Sequence, residues 1–139
     1  LMINLILKRV MYLELLLGKF CLQKKNIVVW GKGREERDLL YIDDLVDFVN
    51  KAYEKQKTNF EIFNCGYGKS ISITKLIKKM IKVSKKKIKI IYDDTKPNIP
   101  IFLSVNCIKA KKHLNWKRKT DLETGIYKTY NWAKKNIAK

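Results

Sequence analysis

The stretch IVVWGKGREERDLLYIDD, residues 27–44, decides how this chain is read. Ile27, Val28, Val29 and Trp30 make a β-prone run. Gly31 and Gly33 follow, where the backbone can turn sharply or approach a ligand closely. Residues 39–42 read as a second apolar strand, with Arg37 and Asp38 just ahead of it. Asp43 and Asp44 precede an amphipathic helix, where a carboxylate accepts the free N–H groups and suits the helix dipole. A guanidinium held between two apolar strands beside a glycine turn suits a phosphate or diphosphate, because it offers a planar fork of charged donors. The bland alternatives are an ion pair from Arg37 to Glu35, Asp38 or Asp43, core packing for Trp30, and simple capping for the two aspartates.

Downstream, apolar periodicity predicts a helix over 43–56, with Leu45, Val46, Val49, Ala52 and Tyr53 on its buried face. FEIFNCG, residues 60–66, reads as a short strand ending in glycine. Ser72 can cap a second helix that buries Ile73, Leu76, Ile77, Met80 and Ile81. Lys85–Lys87 reads as a solvated turn after it. Residues 89–92 form another strand, 93–100 a loop set by two prolines, and 102–105 a short strand. Asn106 caps a short helix through Leu114. Thr120-x-x-Glu123 is a capping box for a last helix, with Leu122, Ile126, Tyr130 and Ala133 inward. Trp116 and Trp132 read as core residues. Strands alternating with helices make this an α/β chain.

Residues 1–26 are the least defined. An amphipathic helix fits near 5–20, but Lys8, Arg9, Glu14 and Lys19 interrupt the apolar run too often for a membrane span. The order of a signal peptide is also absent. The chain opens at Leu1, which suggests a fragment.

The formal charge of +18 in 139 residues points to polyanions. The basic residues are 27 Lys against 4 Arg, spread along the whole chain. A nucleic-acid surface would cluster its charge and favour Arg, so solvated helix faces are the better reading and nucleic acid is not the expected ligand. A small basic module for RNA or another polyanion stays open as the rival. Cys21, Cys65 and Cys107 are far apart and include no CxxC pair, which argues against zinc and a disulfide framework and fits a reducing cytoplasm. His113 is the single histidine, so a metal site or a histidine-based triad has little to draw on.

Four pieces, in order, carry a resemblance. They are VVWGKGREERDLLYIDDLVDFV (28–49), FNCGYGKSISITKLIKKMI (63–81), YDDTKPNIP (92–100) and IKAKKHLNWKRKTDLETGIYKTYNWAKKN (108–136). Together they are similar to the C-terminal part of NAD(P)-dependent epimerases and dehydratases acting on sugar nucleotides, the extended short-chain dehydrogenase/reductase family. The last piece looks like that family's L-G-W-x-P tail, with Asn115 for glycine and Arg118 for proline. Within the family, the Trp of VVWG and the TKP loop look most like GDP-L-fucose synthases, with UDP-sugar 4-epimerases close behind.

The resemblance implies the last strand and helix of a Rossmann fold, plus a small mixed α/β substrate-binding region over 27–139. It implies a cytoplasmic enzyme, a homodimer at full length, whose NAD or NADP sits in an N-terminal domain. The substrate would be a GDP- or UDP-sugar. Arg37 matches the arginine that grips the substrate diphosphate, Trp30 faces the nucleotide, and Lys19 falls near a basic substrate contact. Asn98 stands where GDP-fucose synthases carry an aspartate, and Ile99 and Phe102 also depart from their loop.

The family's cofactor turn, G-x-x-G-x-x-G, is not in this sequence. Its catalytic Tyr-x-x-x-Lys occurs in letter only, as at Tyr53/Lys57 and Tyr92/Lys96, and 7 tyrosines among 27 lysines give such matches by chance. No catalytic residue is therefore assigned, and the chain alone is expected to bind no cofactor and to be inactive.

Overall fold

The computed structural model describes residues 18, 20–23, 25–96 and 101–137. The helix expected near 5–20 lies almost entirely outside them. Four short strands and four helices follow in the order β1 (Asn26–Trp30), β2 (Glu36–Asp38), α1 (Ile42–Lys55), β3 (Ser70–Ser72), α2 (Ile73–Ser84), β4 (Lys89–Asp93), α3 (Ile108–Leu114) and α4 (Leu122–Asn136). The chain is mixed α/β, as its pattern predicts.

β1 and β4 pair in parallel, Ile27 opposite Ile90 and Trp30 opposite Asp93. Ile27 and Val29 point into the core while Val28 and Trp30 point out, the period-two alternation of a sheet covered on one face. α2 and α4 supply that cover. Ile73, Leu76, Ile77 and Met80 meet Ile126, Tyr130 and Ala133, and Phe20 closes the cluster with an edge-on contact to Tyr130. A second core joins α1 to α3: Ala110, Leu114 and Trp116 pack with Phe48, Ala52, Phe63 and Cys65.

Several local expectations are corrected. The strand at 39–42 sits earlier, as the charged triplet Glu36–Asp38, antiparallel to β3. The 60–66 run makes no ladder, and of 102–105 only Phe102 bridges, to Glu36. Both runs have the side-chain pattern of strands, but among the described residues neither finds a neighbour for a full ladder.

α1 forms where expected, but Phe48 and Ala52 face the core, while Ile42, Val46, Val49 and Tyr53 are exposed. α4 is capped by Asp121 rather than Thr120. Thr124 N–H donates to Asp121 Oδ1 at 3.0 Å, and Glu123 pairs with Lys79 instead. Trp116 is buried, but Trp132 is on the surface. Lys86 is not a solvated turn residue: its ammonium donates to the carbonyls of Phe20, Cys21 and Gln23 at 3.2, 2.6 and 3.2 Å. Ser72 does cap α2, accepting from Lys75 N–H at 3.3 Å. The N-cap of α3 is Cys107 and not Asn106, whose Oδ1 accepts from Ile108 N–H at 2.9 Å from one residue earlier.

Candidate functional site

The organising stretch folds back on itself at its glycines. Gly31 and Gly33 hold φ of 63° and 60°, left-handed values that glycine adopts without strain. Gly31 N–H extends the β1–β4 ladder by donating to Asp93 O at 2.8 Å. At Gly33 a Cβ would come within 2.5 Å of Thr74 Oγ1 and 3.1 Å of Val29 Cγ1. Thr74 N–H donates to Gly33 O at 3.1 Å, and Thr74 Oγ1 lies 3.1 Å from Tyr92 Oη. The turn is thus clamped onto the start of α2, which fixes where β2 begins.

Arg37 lies in β2, half-buried. Its Nη1 donates to Glu36 O at 2.9 Å and to Ile101 O at 3.2 Å. Among the described residues no carboxylate pairs with it, so the ion pairs weighed from the sequence are not formed. Its charge is held by backbone carbonyls, with no carboxylate among the described residues to neutralise it.

Trp30 is 58% exposed at the end of β1, which excludes core packing. The backbone leaves β4 at Asp93, directly beside Trp30, and returns at Ile101 against Arg37. Trp30 and Arg37 therefore stand at the two ends of the 93–101 loop. Asn98 and Lys19, the other two candidate residues, lie outside the described residues.

The two aspartates after Tyr41 do not cap α1. The N-cap Tyr41 has no side-chain cap bond. Asp43 is exposed, with Lys128 Nζ 3.9 Å away. Asp44 is buried and takes N–H bonds from Lys119 and Thr120, far along the chain.

Sequence reading offered Asp38 only as an ion-pair partner for Arg37, and its observed role is different. Its Oδ1 accepts from Tyr67 N–H at 2.5 Å, and its Oδ2 accepts from Gly68 N–H at 2.9 Å and Val105 N–H at 3.0 Å. The glycines at 66 and 68 were the available signal, since a turn of free amides needs an acceptor. Glu35 is also buried, at 9% exposure, with no partner for Oε2 among the described residues. Glu36 accepts the Ser70 hydroxyl through a short contact.

Neither glycine turn offers a seat for a dinucleotide. Gly31-Lys32-Gly33 leads into the irregular run before β2 and not into a helix. In the Gly66-Tyr67-Gly68 turn the Tyr67 and Gly68 amides are already taken by Asp38. The glycine turns of the described residues do not fit NAD(P). Among the described residues no group of three or more His, Cys, Asp or Glu is placed to hold a metal ion, and no helix is long and apolar enough to cross a membrane.

Residues 11–66 match the NAD dependent epimerase/dehydratase family. The chain is 34% identical, over 86% of its length, to a UDP-glucuronate 4-epimerase of Thermodesulfobacterium geofontis, of which it covers 36%. It is 32% identical, over 81% of its length, to the putative GDP-L-fucose synthase 2 of Arabidopsis thaliana, covering 34% of that protein. Among solved structures it superposes on a UDP-glucuronic acid 4-epimerase of Bacillus cereus, in complex with UDP-glucuronic acid and NAD. The TM-score is 0.75 at 26% identity, with 86% of this chain and 38% of that one covered. The chain thus spans about a third of the length of the curated relatives it matches.

Proposed function

We infer that this chain, related by sequence and fold to the NAD-dependent epimerase/dehydratase family, is the substrate-holding part of an enzyme that acts on a nucleotide-sugar. Arg37 grips the diphosphate, Trp30 lines the nucleotide pocket, and the 93–100 loop, with Asn98, closes over it. Lys19 adds a cation from the preceding segment.

The observation that carries this reading is the state of Arg37. Its guanidinium is tethered by one nitrogen to two carbonyls and meets no carboxylate among the described residues. A half-buried cation in that condition pairs with an anion brought to it, and a diphosphate matches its fork. The exposed indole at the far end of the same loop suits a planar base. The names of the relatives support UDP- and GDP-sugars as the ligand class.

NAD(P), the Tyr and Lys of the chemistry and the rest of the Rossmann sheet belong, on this reading, to a part of the enzyme that this chain does not supply. The uncovered apolar stripe of α1 and the 60–65 run without a ladder are the surfaces such a part would cover. By itself the chain would bind substrate without turning it over. Cytoplasmic location and a homodimer at full length complete the proposal.

The test is affinity. Arg37→Ala should weaken UDP and GDP binding by about 10- to 100-fold, the worth of a charge-assisted pair. Unchanged affinity for both nucleotides would sink the assignment.

A further inference from the structure

Asp38 is tied to more of the backbone around Arg37 than a helix cap or a surface ion pair would be. We propose that it is the positioning residue for Arg37, holding the guanidinium in line for an incoming diphosphate. The proposal rests on the reading of Arg37 given above.

The geometry runs through strand β2. Arg37 and Asp38 are neighbours in that strand, so their side chains leave opposite faces. On one face Arg37 Nη1 reaches Ile101 O at 3.2 Å. On the other, Asp38 Oδ2 takes Val105 N–H at 3.0 Å. Glu36 N–H, donating to Ile101 O at 2.8 Å, completes the seam. Asp38 therefore anchors the returning segment four residues beyond the carbonyl that aims Arg37. Its remaining bonds, to Tyr67 N–H and Gly68 N–H, brace the assembly against a third piece of backbone.

That third piece is itself fixed. The Arg118 guanidinium stacks 3.7 Å from the centre of the Tyr67 ring. Gly66 leaves room for the carboxylate: a Cβ there would lie 3.1 and 3.2 Å from the two Asp38 oxygens and 2.9 Å from Val105 Cβ.

A carboxylate is the group this position requires. Three N–H donors converge on it from two sides, and only an acceptor-only side chain satisfies all of them. Asparagine would turn an NH2 against at least one backbone N–H, leaving two donors face to face.

The test compares Asp38→Asn, Arg37→Ala and the double variant. Two readouts are taken: the side-chain N–H resonance of Arg37 by NMR, and binding of UDP and GDP by calorimetry. Asp38→Asn should displace the Arg37 resonance and weaken nucleotide binding by about tenfold. It should add nothing on the Arg37→Ala background, as coupled residues do. An unmoved Arg37 resonance, or the same fold-loss on both backgrounds, overturns the proposal. If the parent protein takes neither nucleotide, the substrate reading fails by itself. The Arg37 resonance then decides this one, displaced for and unmoved against. Should Asp38→Asn unfold the protein, Gly66→Ala crowds the same carboxylate without changing charge and is read the same way.

Discussion

Asp44 is 3% exposed, and both of its carboxylate oxygens are occupied. Lys119 N–H and Thr120 N–H donate to them at 2.8 and 3.0 Å, and Trp116 Nε1–H donates to the Asp44 carbonyl at 3.2 Å. One residue at the start of α1 thereby holds the loop between α3 and α4, and with it the buried indole of the second core. Asp44→Ala strands two backbone donors. It should cost about 2–4 kcal/mol in urea unfolding, with Asp44→Asn in between. A loss below about 0.5 kcal/mol would mean that water replaces the carboxylate freely. Asp44 also shows where sequence reading stops at this scale. An aspartate at a helix start is legible as a cap, because capping is a local relation. Its actual donors lie some 75 residues away, and no spacing rule reaches that far. The turn at Gly31 and Gly33 was legible for the opposite reason, since the residues that form it are contiguous.

At the scale of elements, helices were read best. α2 and α4 turn to the core the residues that their 3.6 periodicity names, with Ile81 and Leu122 only partly buried at its margin. α1 was placed within a residue of its ends, but one of its apolar stripes, Ile42, Val46, Val49 and Tyr53, is turned outward, Tyr53 being 90% exposed. Periodicity shows that a face is apolar and not what covers it. The same limit explains the 60–66 run: its composition is that of a strand, but a strand exists only with a partner. If the α1 stripe is an unoccupied contact face, lysines there should leave the fold intact. Val46→Lys with Val49→Lys should lower self-association in sedimentation at high protein concentration. Each should move the unfolding free energy by no more than about 0.5 kcal/mol. A collapse of stability would show that the stripe is packed.

At the scale of the whole molecule, charge sets how stability responds to pH. Four carboxyls are held below their ordinary values of 3.8 for Asp and 4.5 for Glu. Asp47 is held by the Lys119 ammonium, Asp93 by the Thr95 hydroxyl, Asp121 by the Thr124 N–H and Glu123 by the Lys79 ammonium. A carboxyl with a depressed folded value stabilises above its unfolded value, and the gain is lost as pH falls through the folded one. Thermal midpoints should therefore hold down to about pH 5 and fall below about pH 4. At the alkaline end, burial pushes the Cys65 thiol from 9.0 up to about 12. Both states keep that proton below pH 9. Between pH 9 and about 12 the unfolded chain releases it first, so this thiol lowers stability as pH rises. A melting profile flat through both windows would contradict these environments.

The most direct measurement for the central claim, that Arg37 holds a diphosphate, pairs a change in the protein with a change in the ligand. Calorimetry would compare UDP with UMP on the parent protein and on Arg37→Ala. The account predicts that deleting the β-phosphate weakens binding to the parent by about tenfold or more, and that Arg37→Ala no longer distinguishes the two ligands. If UDP keeps its full advantage over UMP after Arg37 is removed, the diphosphate is held elsewhere and the site is wrong.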